Sequence, residues 1–189
     1  SAIKPTYYTA AVEHGYTPAT VINDAPITLT GGNGKDWTPQ NFSRVYYGPT
    51  RMRTAITHSY NVWAVKTVMD LGLDVVNDAF RRFGIDAKAE DFSVALGAYE
   101  VTPINLISAF TTFPNNGFRT KPVFITKVED MNGKVLERKS SAKYEVTSPQ
   151  VAYIMTSMLQ SVVSSGTGAA ARNNYYWQAA GKTGTSSDH

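Results

Sequence analysis

Apolar residues recur at helical spacing in five stretches of the chain, and most of these stretches end at a glycine or a proline. Windows in which apolar positions repeat every three to four residues predict helices. The second stretch is interrupted at residues 59–61, and Thr102 and Ser148 each precede a proline, which fits the first turn of a helix. The predicted helices cover residues 2–14, 50–71, 74–83, 103–113 and 149–163.

The segments between these helices alternate in polarity or are rich in turn residues. Residues 16–50 contain Pro18, Pro26, Pro39, Pro49 and the run Gly31-Gly32-Asn33-Gly34. This composition predicts an extended, turn-rich connection of the kind that often carries function. Two alternating stretches, 121–129 and 134–137, flank Asn132-Gly133, a strong signal for a hairpin. Residues 175–183 predict a buried strand that runs into Gly184.

Composition sets limits on the class of protein. The chain has 189 residues, of which 42% are hydrophobic and 17% charged, as expected for one globular domain. The net charge is only +3 and the basic residues are scattered, so we expect no nucleic-acid partner. The chain has no cysteine, and its histidines are dispersed, so we expect no thiolate nucleophile, no metal site and no cofactor. No apolar run approaches the roughly 20 residues that span a bilayer.

Three short motifs contain the candidate catalytic residues: Ser1-Ala2-Ile3-Lys4, Ser59-Tyr60-Asn61 and Lys182-Thr183-Gly184-Thr185. Each of the first two would arise often by chance, so the signal lies in the third and in the combination. Each of the first two motifs could also have a purely structural role.

The first motif places a serine and a lysine three positions apart at the start of a predicted helix. Residues at this spacing share a helix face, so the Lys4 amine could approach the Ser1 hydroxyl as a base approaches a nucleophile. A lysine acts as a base near neutral pH only if burial or a neighbouring cation lowers its pKa, and Lys182 could be that cation. The alternative is that Ser1 only caps the helix and Lys4 is solvated.

The other two motifs offer groups that relay protons and bind a peptide. Ser59 could pass on a proton, and the Asn61 amide could hold a peptide bond with one donor and one acceptor; the alternative is that both residues stabilise a loop. Gly184 would allow a ligand backbone to approach closely, and the hydroxyls of Thr183 and Thr185 beside Lys182 could hold a carboxylate. A phosphate-binding loop is excluded, because its first glycine would fall on Tyr176.

Taken together, the three motifs resemble the active-site set of the penicillin-binding protein and serine β-lactamase superfamily. Further segments narrow the resemblance to class A, bifunctional penicillin-binding proteins, and they extend over essentially the whole chain. They include His14-Gly15-Tyr16-Thr17-Pro18, Trp37-Thr38-Pro39-Gln40-Asn41, Leu96-Gly97-Ala98-Tyr99-Glu100, Phe113-Pro114-Asn115-Asn116-Gly117 and Ser165-Gly166-Thr167-Gly168.

The resemblance implies an α+β fold, with helices packed on a central antiparallel sheet, and a peptidoglycan DD-transpeptidase. It implies that Ser1 attacks the penultimate D-Ala carbonyl of a stem peptide while Lys4 takes its proton, and that Ser59 moves a proton to the leaving amine. Asn61 would orient the donor amide, and Lys182, Thr183, Gly184 and Thr185 would bind the end of the peptide. The backbone N–H groups of Ser1 and Thr185 would form the oxyanion hole. Water in place of the second amine would give a carboxypeptidase.

The family pattern also implies partners and parts beyond this chain. We expect residues 1–189 to form one partial transpeptidase domain, incomplete at both ends, and we expect this piece alone to be compromised or inactive. Stem peptides ending in D-Ala-D-Ala and β-lactams would bind it. A membrane anchor, a glycosyltransferase domain and cell-wall synthesis partners would lie outside the chain, on the extracytoplasmic face of the bacterial membrane. A serine β-lactamase, a non-catalytic β-lactam-binding sensor and a structural domain remain alternatives.

Overall fold

The computed structural model describes residues 1–30 and 36–185. The glycine-rich run Gly31-Gly32-Asn33-Gly34 therefore lies outside the described residues. All five helical stretches of the sequence form helices, and the second divides in two. The helices are α1 Lys4–Glu13, α2 Met52–Thr57, α3 Asn61–Leu71, α4 Leu73–Phe83, α5 Pro103–Phe110 and α6 Pro149–Ser165. Thr102 and Ser148 accept capping hydrogen bonds from the first turns of α5 and α6.

The strands are short and pair only in twos within the described part of the chain. They are β1 Val21–Asp24, β2 Leu29–Thr30, β3 Asp36–Trp37, β4 Gly48–Arg51, β5 Phe118–Thr120, β6 Lys127–Glu129, β7 Val135–Arg138 and β8 Lys143–Glu145. Four antiparallel pairs result: β1 with β4, β2 with β3, β5 with β8, and β6 with β7. The β6–β7 pair is the predicted hairpin, with its first strand shorter than expected, and an α+β architecture is confirmed.

The predicted buried strand over residues 175–183 is wrong. Residues 169–174 form a 3₁₀ helix, and the residues that follow it run without regular structure. Tyr176 is 89% exposed and Trp177 is 76% exposed. A strand needs a neighbouring strand for its backbone hydrogen bonds, and no described segment pairs with this one. The expected central sheet is therefore represented here only by two-stranded pairs.

Helix α1 passes through the middle of the core. Nine of its ten residues are buried, so it is a core helix and not an amphipathic one. The Tyr8 ring stacks on Trp63 of α3 with ring centroids 5.3 Å apart, and the Tyr7 hydroxyl donates to the carbonyl of Ala95 at 2.8 Å. These contacts fix α1, and with it the position of Lys4 in its first turn.

A break between α2 and α3 is confirmed, and it covers residues 58–60, one position earlier than the predicted 59–61. Ser59 adopts a φ of 60°, a left-handed conformation that is uncommon for residues other than glycine. The backbone N–H of Tyr60 returns to the carbonyl of Ala55 at 2.9 Å, so the turn is closed by its own hydrogen bond. This turn directs Ser59 and Asn61 toward the start of α1.

Candidate active site

The amine of Lys4 lies at the meeting point of the first two motifs. Its Nζ atom lies 2.8 Å from the carbonyl oxygen of Ser59, 3.3 Å from the Ser59 hydroxyl and 2.8 Å from Oδ1 of Asn61. The side chain is fully buried, with 0% exposure. All of these acceptors are uncharged, so the amine has hydrogen bonds without a counter-ion.

This environment makes the neutral amine accessible near pH 7. The pKa of Lys4 is lowered from 10.5 to about 7, chiefly because burial disfavours the charged form and also because Lys182 carries a second positive charge nearby. A lysine whose pKa lies near the working pH can accept a proton from a hydroxyl. The first motif therefore contains an amine that could act as the expected base.

Lys182 approaches the same hydroxyl from the third motif. Its Nζ donates to Ser59 Oγ at 2.8 Å and to its neighbour's carbonyl, that of Thr183, at 3.1 Å. Burial lowers the pKa of Lys182 from 10.5 to about 8. The Ser59 hydroxyl thus bridges two amines, a position from which it could relay a proton between them.

Ser1 lies in the turn that precedes α1, where the Lys4 N–H donates to the Ser1 carbonyl at 3.2 Å. Its nitrogen donates to the carbonyl of Leu96 at 3.1 Å, which ties this turn to the segment before Gly97. No hydrogen bond joins Lys4 Nζ to Ser1 Oγ in the described part of the chain. The predicted base and nucleophile are neighbours along the helix start, and their direct contact stays a prediction.

Gly184 brings the third motif against the first. A Cβ atom at position 184 would lie 3.2 Å from Cβ of Ala2 and 3.3 Å from its backbone nitrogen. The sequence predicted that a ligand backbone would approach Gly184 closely. In this structure Gly184 is instead approached by Ala2, the residue after Ser1. Gly97 plays a similar part on the other side, since a Cβ there would lie 2.9 Å from the Ser1 nitrogen.

The two threonines of the third motif are exposed. Thr183 Oγ1 lies 2.6 Å from Thr167 Oγ1, in the segment after α6, so its hydroxyl is held by a neighbour that sequence reasoning assigned no role. Thr167 is itself fixed, because its N–H donates to the carbonyl of Thr57 at 3.1 Å. The structure thus brings residues of all three motifs together, with Thr183 and Thr185 on the open side.

A buried layer that the sequence did not predict supports the second motif. The side chain of Asn41 is 4% exposed, and its Oδ1 accepts the N–H groups of Asn61 at 2.7 Å and Val62 at 3.3 Å. Its Nδ2 donates to Asp24 Oδ2 at 2.7 Å and to the carbonyl of Val45 at 2.9 Å. In the sequence, Asn41 stood out only as the last residue of the family-like segment Trp37-Thr38-Pro39-Gln40-Asn41, which indicated no structural role for it.

Comparison with known proteins agrees with this arrangement. The family described as penicillin binding protein transpeptidase domain matches residues 1–188. The chain belongs to the penicillin-binding protein transpeptidase family. Its resemblance to that family, inferred above from three motifs, is confirmed.

Named relatives agree with the family. A penicillin-binding protein 1A from Neisseria meningitidis is 36% identical over 198 residues, which cover 100% of this chain and 25% of the relative. The chain therefore spans about a quarter of the length of the curated relatives that it matches.

Solved structures show the same fold. The crystal structure of penicillin-binding protein 1A from Haemophilus influenzae superposes with a TM-score of 0.92 at 27% identity, covering 99% of this chain and 34% of that one. Penicillin-binding protein A from M. tuberculosis, in an imipenem acyl-enzyme complex, superposes with a TM-score of 0.77 over 87% of this chain and 43% of that one. At 20% identity, the second likeness concerns the fold alone.

Neither a membrane-spanning helix nor a metal cluster is seen in the part of the penicillin-binding protein domain that the structure describes. No helix there is long and apolar enough to cross a bilayer, and no group of three His, Cys, Asp or Glu side chains comes together as a ligand set.

Proposed function

We propose that this domain performs the acyl transfer of a peptidoglycan DD-transpeptidase, with Ser1 as the nucleophile and Lys4 as its base. The observation that carries the proposal is the buried Lys4 amine, which has uncharged hydrogen-bond acceptors and a pKa of about 7. Family membership supplies the reaction class.

In the proposed acylation, neutral Lys4 takes the proton of the Ser1 hydroxyl as Ser1 Oγ attacks the penultimate D-Ala carbonyl. The C–N bond then breaks, the ester forms on Ser1, and the terminal D-Ala leaves after Ser59 passes a proton to its amine. The Lys4 amine must turn from Asn61 Oδ1 to Ser1 Oγ, a rearrangement compatible with the looser hydrogen bonds that catalytic groups often have before substrate binds. The amine of a second stem peptide resolves the ester.

The third motif would bind the carboxylate end of the donor peptide. Lys182 provides a positive charge at the site, and the exposed hydroxyls of Thr183 and Thr185 are available to oxygens of a ligand. Gly184 holds this segment close to Ala2, and Asn61, whose Oδ1 accepts from Lys4, lies at the same site. β-Lactams would acylate Ser1 as substrate mimics, which fits the acyl-enzyme that the M. tuberculosis protein of the same fold forms with imipenem.

We propose that residues 1–189 form part of one transpeptidase domain in a longer protein. Its substrate, peptidoglycan, would place it outside the cytoplasm. A membrane anchor, a glycosyltransferase domain and cell-wall synthesis partners would belong to the rest of that protein and its surroundings, as the family pattern implies.

The full-length protein incubated with a pentapeptide-bearing substrate tests the proposal. We expect release of D-Ala and formation of a cross-linked product, both lost in Ser1→Ala. Release of D-Ala without a cross-link would indicate a carboxypeptidase. Acylation by penicillin without any release of D-Ala would indicate a sensor, and rapid penicillin turnover would indicate a β-lactamase.

A further inference from the structure

A cavity of about 430 Å³ lies between the end of α4, helix α5 and the β5–β8 pair. Its volume falls within the range of pockets that bind small ligands. Gly84, at its wall, follows α4 shortly after Arg82, which pairs with Glu13 at the end of α1 at 2.6 Å. Ser1 precedes the opposite end of α1, a helix about 15 Å long. The cavity is therefore separate from the candidate active site.

The charge of the cavity is positive. Arg119 and Lys121 both line it, and no acidic residue is among the lining side chains that the structure describes. Arg119 also forms no ion pair within residues 1–30 and 36–185. An arginine without a carboxylate partner retains its capacity to bind an anionic oxygen through parallel N–H donors.

The Arg119 guanidinium is held in place before any ligand arrives. Its central carbon lies 4.7 Å from the centroid of the Tyr144 ring, and its Nη1 atom lies 3.5 Å from the Ser108 hydroxyl. On the other side it packs against Gly84, where a Cβ atom would lie 2.5 Å from the same carbon. The Nε atom is buried without a hydrogen-bond partner. A guanidinium fixed in this way loses little side-chain freedom on binding an anion.

Apolar side chains form the rest of the wall. Ile104 is 42% exposed and Phe124 is 87% exposed, and both line the cavity beside the ring of Tyr144. A ligand that combines a carboxylate with a hydrocarbon group would satisfy the cations and cover these side chains. A bare inorganic anion would leave them in water.

We propose that this cavity binds a carboxylate that stands next to an apolar group, in a ligand of about dipeptide size. Arg119 and Lys121 bind the carboxylate, and the side chains of Ile104 and Phe124 contact the apolar group. The carboxylate can belong to a peptide C-terminus or to an acidic side chain. The proposal is independent of the acyl-transfer function.

Ligand-observed saturation-transfer NMR on the full-length protein tests the proposal with three probes: N-acetyl-Ala-Phe, its C-terminal amide, and N-acetyl-Asp-Phe amide. We expect the free acid to bind and the uncharged amide to bind on the order of tenfold more weakly, as the loss of a charged hydrogen bond predicts. Binding of N-acetyl-Asp-Phe amide would identify an acidic side chain as a sufficient source of the carboxylate, and its failure would restrict the site to C-termini.

Variants locate the binding. Arg119→Gln and Lys121→Gln should each weaken binding of the free acid, and Lys134→Gln, at an exposed lysine of the β6–β7 hairpin, should leave it unchanged. Because Lys121 is exposed, Lys121→Gln should not disturb the fold. It therefore tests the binding site even if Arg119→Gln lowers the melting temperature. The proposal would be overturned if the acid and the amide bind equally well. It would also be overturned if binding is unchanged in a folded Arg119→Gln or in Lys121→Gln. Any remaining binding would then belong to another site, such as that of Lys182.

Discussion

The side-chain amine of Lys182 donates a 2.8 Å hydrogen bond to the hydroxyl of Ser59, although the two residues are 123 positions apart in the chain. Lys4 approaches the same hydroxyl at 3.3 Å. Two amines that share one acceptor in a buried site cannot both be protonated without mutual repulsion. Under the proposed mechanism, the proton distribution over Lys4, Ser59 and Lys182 sets the pH range in which the site reacts.

The first prediction is a bell-shaped pH dependence of acylation by a β-lactam. The rate should rise as Lys4 loses its proton, near its pKa of about 7, and fall as Lys182 loses the charge that binds the ligand carboxylate, near its pKa of about 8. Because the two amines interact, the apparent pKa values of the two limbs belong to the pair of lysines and not to either one alone. Stopped-flow measurement of acylation by a chromogenic cephalosporin between pH 5 and pH 10 checks this. A rate that stays flat across that range would contradict the role of Lys4.

The second prediction concerns Lys182→Gln. Removal of this positive charge should raise the pKa of Lys4, since Lys182 is one of the two causes that lower it. The acid limb of the profile should move to higher pH, the alkaline limb should disappear, and the rate should fall because the carboxylate loses its cation. Lys66→Gln, at a partly exposed lysine on α3, is the matched control. An unshifted acid limb would show that Lys182 does not act on Lys4.

The third prediction concerns Asn41→Ala, which removes one of the two donors to Asp24 and leaves the N–H groups of Asn61 and Val62 without their buried acceptor. Buried polar groups without partners destabilise a fold by about 1–3 kcal/mol each. We expect a lower melting temperature and slower acylation, because Asn61 loses the acceptor that holds its backbone.

Asn132→Ala, in the exposed hairpin turn, is the control for that substitution. It should change neither measurement. Full acylation activity in Asn41→Ala would show that the buried layer contributes to stability alone.

The fourth prediction compares Gly184 of the third motif with Gly181, which precedes that motif. Gly184→Ala places a Cβ atom 3.2 Å from Ala2, whereas Gly181→Ala places one 3.7 Å from Val163, an ordinary contact. Gly184→Ala should slow acylation several-fold, because crowding against Ala2 displaces the turn that carries Ser1. Gly181→Ala should behave like the wild type. Equal rates for the two variants would mean that the approach of Gly184 to Ala2 does not position the nucleophile.

Local features of this structure could be predicted from the sequence. Helix α1 ends beside Gly15, α5 begins at Pro103 after its Thr102 cap, and the break at Ser59 was visible because it interrupts an apolar repeat. Each of these signals depends only on neighbouring residues, so the local sequence is sufficient to predict the feature. The three motifs were predicted to share one site, and the structure brings their residues together.

Features that depend on distant contacts could not be predicted. Residues 175–183 have an apolar composition typical of a strand, but a strand forms only where another strand lies beside it. Asp24 and Asn41 follow no periodic pattern, and their roles come from a contact across 17 positions that folding creates. The charge state of Lys4 likewise depends on burial by elements far along the chain.

Intact-mass spectrometry after incubation with a penicillin tests the central claim most directly. It should be applied to the full-length protein, to Ser1→Ala and to Lys4→Gln. We predict one drug-mass adduct on the wild-type protein, none on Ser1→Ala, and one that forms far more slowly on Lys4→Gln. An adduct that persists at full extent in a folded Ser1→Ala would contradict the assignment of Ser1 as the nucleophile.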